Sequence, residues 1–193
     1  MYGRRSDSVL LTGEISVKQT TKITLCAIIA ALSAALMLLS YFPYLTVSVP
    51  VAAGMLMILP VVEIDRKWAL LTFLVSGVLV FIFAEPESKL LYLSFFGYYP
   101  VLKSLIEQIR RPHLEWIIKF CSFNTAMALV FFLSLWVLGI PIEEFELFGK
   151  FGLILLFLLA NVTFLIYDFA VSRMAALYLA RLHGQLQKIL RKG

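Results

Sequence analysis

Charge is what this sequence has least of. Of its 193 residues, 15% are charged and 61% are hydrophobic, where soluble domains average about 25% charged and about 45–50% apolar. A chain of this length cannot hide so much apolar surface in a core of its own. A soluble globular fold is therefore excluded. The two cysteines, Cys26 and Cys121, both fall inside apolar stretches, which argues against a disulfide framework. They read as small buried apolar side chains. There are two histidines, His113 and His183, set far apart, so no metal centre is expected. The chain also lacks a glycine-rich phosphate loop and any recognisable catalytic set. Neither an enzyme nor a resident cofactor is expected.

What is abundant is long apolar sequence. A helix needs roughly 20 predominantly apolar residues to cross the hydrocarbon layer. Six such segments are legible, at about 23–41, 45–64, 68–83, 90–106, 114–140 and 151–179. Their polar separators include Asp65-Arg66-Lys67, Glu85-Pro86-Glu87-Ser88-Lys89 and an acidic stretch over 141–150. The pattern predicts an all-α, polytopic membrane helix bundle of about six transmembrane helices. A polar segment, 1–22, precedes the membrane domain, 23–180, and a basic tail, 181–193, follows it. The first apolar segment is longer than a signal-peptide core, so it is read as a retained helix. The second segment is the weakest, because Pro50, Gly54 and Pro60 interrupt it. Were it not a crossing, the count would fall to five and one terminus would change sides.

Orientation follows from the basic residues. With six spans and cytoplasmic termini, the inner side holds Arg4, Arg5, Lys18, Lys22, Arg66, Lys67, Arg110, Arg111 and the basic tail. The outer loops hold Lys89 and Lys150 against Glu85, Glu87, Glu143, Glu144 and Glu146. Lys/Arg excess marks cytoplasmic loops. The net charge of +5 thus suits anionic lipid head groups, and nucleic acid is not expected as a partner.

Polar residues within apolar spans are expensive and so are functional hypotheses by default. Asn161 lies about 15 Å into the sixth span at 1.5 Å per residue, and Asn124 lies deep in the fifth. Either amide suits a ligand or a neighbouring helix. Tyr98 and Tyr99, in the Phe95-Phe96-Gly97-Tyr98-Tyr99-Pro100 stretch, offer stacking faces and hydroxyls, or simple packing in a kinked helix. Asp168 reads as a marker of the inner interface. Lys103 with Glu107 reads as an interfacial ion pair, and Lys119 has Glu115 as an i,i+4 partner. Glu63 has basic neighbours at the membrane edge. In the first span Ala27, Ala31 and Ala35 recur every four residues beside the parallel row Ala30 and Ala34. Small residues so spaced admit a close-packed helix, from a partner or from this bundle.

Length, six spans, cytoplasmic termini and the Ala27, Ala31, Ala35 motif together resemble the substrate-binding S components of energy-coupling factor transporters. The resemblance implies a subunit that captures a vitamin-like small solute. It also implies that the alanine face docks on a membrane-embedded T subunit, and that paired ATPases supply the energy. The ligand would bind toward the outer side, where the candidates are Asn161, Asn124, Tyr98, Tyr99 and Lys89. The FFGYYP and EWIIKF stretches within 95–124 are also similar to a family of uncharacterised bacterial membrane proteins of this size. The alternative function is a non-transport scaffold or regulatory membrane protein, for example in envelope assembly.

Overall fold

The computed structural model describes residues 19–136, 139 and 152–181. The polar segment 1–18, the acidic stretch 141–150 and nearly all of the basic tail lie outside the described residues. All regular structure among the described residues is helical. Four segments are long and apolar enough to cross a membrane: Gln19–Tyr41, Arg66–Phe83, Pro112–Trp136 and Ile154–Arg181. The chain is thus built as a membrane protein. Helix α1 is Gln19–Met37, continued by a 3-10 turn, Leu38–Tyr41. Helices α2 (Ser48–Met55) and α3 (Ile58–Glu63) follow, then α4 (Arg66–Phe83) and α5 (Pro86–Leu91). A π turn, Tyr92–Phe96, leads to α6 (Tyr99–Ile106) and a 3-10 turn, Glu107–Ile109. Helices α7 (Pro112–Trp136) and α8 (Gly152–Arg181) complete the bundle.

Prolines account for the two broken segments. A proline inside a helix removes one hydrogen bond and crowds the carbonyl four residues back. Pro60 opposes Leu56, and the Leu56 carbonyl instead accepts from the Leu59 amide at 3.1 Å. The helix resets there into α2 and α3. Pro50 falls in the first turn of α2, where its missing N–H costs nothing. Pro100 stands in the same relation to Phe96. The Phe96 carbonyl accepts from the Tyr167 hydroxyl of α8 at 3.3 Å, while Gly97 N closes the π turn on Tyr92 O at 2.9 Å. The second and fourth apolar segments, read from the sequence as interrupted and as kinked, are therefore discontinuous.

Three contacts relate the helix ends. The Cys26 thiol, early in α1, donates to Trp68 O, early in α4, at 3.9 Å. Ser88 Oγ, in the first turn of α5, donates to Thr46 O at 3.0 Å, joining it to the loop that follows α1. Glu63, closing α3, accepts a short hydrogen bond from Tyr178 near the end of α8. Chain ends 42–47 and 84–88 thus share one end of the bundle, and α2–α3 runs from there to the end bearing Tyr178.

Packing is that expected in lipid, where small and polar residues let helices approach and large apolar ones face outward. Helix α4 buries Ala69, Thr72, Ser76, Gly77 and Val80 and exposes Leu70, Leu74, Val78 and Phe81. One core gathers Ile29, Met37, Ala53, Met57, Val80 and Tyr92. Within it Ser76 Oγ and Tyr92 Oη are 2.8 Å apart and hydrogen-bonded. A second core, of Phe95, Tyr99, Phe123, Phe164 and Tyr167, joins α6, α7 and α8.

Candidate functional site

Four charged side chains converge at the end of the bundle opposite Thr46 and Ser88. Lys103 of α6 pairs with Asp168 of α8 and with Glu107 at 3.2 Å. Lys119 of α7 reaches Asp168 Oδ1 at 3.2 Å and Glu107 Oε1 at 3.3 Å. The Tyr99 hydroxyl donates to Asp168 Oδ1 at 2.5 Å. Lys103, Lys119 and Asp168 are each only 5% exposed. Two ammonium groups face two carboxylates, so the cluster balances its own charge. A buried charge is tolerated only when paired and hydrogen-bonded, and here the pairing also ties three helices together.

This arrangement revises several expectations. Asp168 is not an interface marker but the centre of a buried network. Lys119 pairs with Glu107 and Asp168, 12 and 49 residues away, not with Glu115. The expected Lys103–Glu107 pair is present, as part of that larger cluster. Glu63 accepts a short hydrogen bond from Tyr178 of α8, a partner its local sequence does not show. Cys26 is buried as expected, whereas Cys121 is exposed. The sequence did carry a signal for the cluster: opposite charges inside three different apolar spans.

An aromatic layer lies one helical turn beyond the cluster. Phe123 is four residues after Lys119, Phe164 four before Asp168, and Phe95 four before Tyr99; residues so spaced stack along one helix face. Phe123 and Phe164 stack with centroids 4.6 Å apart and planes at 11°. Phe95 packs edge-on to both, at 5.1 and 5.7 Å.

Above this layer is a cavity of about 620 Å³ between α7, α8, α5 and the residues just before α2. Phe96, Phe123 and Phe164 form its floor, and Met127, Val130, Leu156 and Leu159 its walls. Its polar groups are few: the Thr46, Ser134 and Thr163 hydroxyls and the Glu87 carboxylate. Thr163 Oγ1 donates to Leu159 O at 2.9 Å, which leaves its oxygen able to accept. Such a chamber holds an apolar body and orients one polar end.

The five residues anticipated as ligand contacts stand elsewhere. Asn124 and Asn161 pair with each other through reciprocal amide bonds of 3.0 and 3.1 Å. Tyr99 is fully buried in the second core. Tyr98 donates to Ser94 O at 2.7 Å and lines a separate groove with Ser122 and Thr125. Lys89 turns to Phe81, donating to its carbonyl at 3.4 Å with Nζ 5.4 Å from its ring centre. Ala27, Ala31 and Ala35 are exposed, while Ala30 is buried and Ala34 half-buried. The first row therefore faces away from the bundle and the second packs within it. Among the described residues no cluster of potential metal ligands occurs.

Comparison with protein-family models, curated proteins and solved structures finds no match to this chain.

Proposed function

We propose that this chain is the membrane-embedded capture subunit of a nutrient uptake system, taking a vitamin-like small solute and relying on separate ATPase subunits for energy. The cavity above the aromatic layer carries the reading. Its volume of about 620 Å³ lies within the range of small-molecule sites, about 300–1,000 Å³. Its lining has the usual composition of such sites, mostly apolar with a few convergent polar groups.

In this reading six segments cross the cell membrane, the broken α2–α3 and α5–α6 among them, and both termini are cytoplasmic. Support comes from the basic residues gathered in alternate loops and from the shared bundle ends described above. The cavity then opens to the outside and the charge cluster sits toward the cytoplasm. Discontinuous helices meeting inside a bundle are also where many secondary transporters hold their solutes. The outward row of Ala27, Ala31 and Ala35 is available to a T subunit, which would link the chain to paired ATPases.

The test is native mass spectrometry of the full chain gently extracted from its own membranes. A bound small solute, a T subunit and an ATPase pair are expected. Ala31→Trp should keep the solute and lose the protein partners. Recovery of the chain alone, without solute, together with normal solute uptake after deletion, would return it to the scaffold reading.

A further inference from the structure

The outer cavity's lining points to a chemical class of ligand. We propose that it takes an organic cation with an apolar or aromatic body, the Glu87 carboxylate serving as counter-charge; this rests on the solute-capture reading above.

Glu87 is the one charged residue among the described residues lining the cavity. It enters no ion pair among the described residues. The neighbouring cation, Lys89, is drawn away to the Phe81 carbonyl and ring. The neighbouring carboxylate, Glu85, accepts from Ser88 Oγ at 3.0 Å. Glu87, exposed at the rim, therefore has no compensating base among the described residues. A charge beside low-dielectric walls acts more strongly on an incoming ion than it would in open water.

The floor suits the other end of such a molecule. The Phe96, Phe123 and Phe164 rings lining it give the buried body an aromatic surface to pack against. An anionic solute would find no base among the described residues of the lining. Lys103 and Lys119 lie a turn below the aromatic layer and are engaged by Asp168 and Glu107. The described lining does not suit a bare divalent ion either. One carboxylate and scattered hydroxyls fall short of the six to eight oxygens that a calcium ion takes. What fits is a molecule that buries rings or methylenes between α7 and α8 and leaves a protonated amine or quaternary nitrogen at Glu87.

The test uses the full chain in nanodiscs of neutral phosphatidylcholine. Three probes share one ring system: 2-(1-naphthyl)ethylamine, 2-(1-naphthyl)ethanol and 1-naphthaleneacetate. Binding is read by naphthyl fluorescence, and Ala160→Trp, which fills the cavity, defines the specific signal. The amine should bind about tenfold more tightly than the alcohol, and the acetate most weakly. Glu87→Gln should erase the amine's advantage, while Glu85→Gln keeps it. Both residues are near the surface, so the thermal unfolding midpoint should not move. An alcohol or acetate that matches the amine, with binding still blocked by Ala160→Trp, overturns the cation assignment and leaves solute capture standing. An amine advantage that survives Glu87→Gln overturns the role of that carboxylate. Absence of any binding sensitive to Ala160→Trp overturns both this inference and the reading beneath it.

Discussion

Asn124 of α7 and Asn161 of α8, 37 residues apart, exchange their amide hydrogen bonds at 3.0 and 3.1 Å. Each Nδ2 also donates within its own helix, to Phe120 O at 2.9 Å and to Phe157 O at 2.8 Å. Each amide is the other's partner, so the pair acts as a cross-link. Replacing either by Leu strands the second amide in an apolar region, and replacing both strands neither. A double-mutant cycle on thermal stability should give a coupling between about 0.6 and about 1.7 kcal/mol, the average and the largest value seen for hydrogen bonds between membrane helices. Strict additivity would mean the two amides do not depend on each other.

Asp168→Asn should be the most damaging single polar substitution in the bundle. It leaves Lys103 and Lys119 buried with Glu107 alone, and removing one partner of a buried pair costs about 3–5 kcal/mol. Glu107→Gln should cost far less, because that side chain is 47% exposed and water can take its place. Combining Lys103→Met with Asp168→Leu keeps the remaining charges balanced, so it should unfold at a higher temperature than Asp168→Asn alone. Equal loss in both would show that charge balance is not what the cluster supplies.

The glycines should rank by what a methyl group would strike. At Gly54 an added Cβ would lie 2.3 Å from Phe96 O, part of the π-turn backbone. At Gly97 it would meet the Phe73 ring at 2.5 Å, and at Gly77 the Leu93 Cδ2 at 3.1 Å. Backbone yields least and a leucine tip most. Ala at 54 should therefore lower the unfolding midpoint most, by the equivalent of about 1–3 kcal/mol or more. Ala at 97 should fall between, and Ala at 77 should be nearly silent. A harmless Gly54→Ala would mean that α2 and the π turn do not approach closely.

Cysteine accessibility separates six crossings from five. In a Cys26→Ala, Cys121→Ala background, cysteine at Thr46 or Glu87 should react with a membrane-impermeant maleimide added outside intact cells. Cysteine at Arg66 or Arg110 should react only after the cells are opened. Thr46 and Arg66 labelled from the same side would remove the α2–α3 crossing and move every later loop to the opposite face.

Much of this architecture is written locally. Apolar runs mark the helices, Asp65 caps α4 by accepting from the Arg66 amide at 2.6 Å, and Pro60 and Pro100 sit where the two broken segments reset. These features depend on residues within a turn or two of each other, so a single sequence displays them, membrane character above all. The site was legible only in part. Thr163 was visible as a polar residue in the last span and does line the cavity. Glu87 read as one of several loop carboxylates, and nothing local sets Phe123 and Phe164 apart from the other apolar residues of their helices.

What the tertiary structure decided is which helix neighbours which. Helical period says that Ala27, Ala31 and Ala35 share a face, but only the packing of α1 turns that face outward and Ala30 inward. Asp168 meets Lys103 across 65 residues of chain, and the two asparagines that looked like free ligands for a solute satisfy each other. Local sequence states a residue's chemistry and its angle on a helix. Whether that chemistry is spent on a neighbour or left facing a cavity depends on contacts between distant segments, which one helix's sequence does not encode.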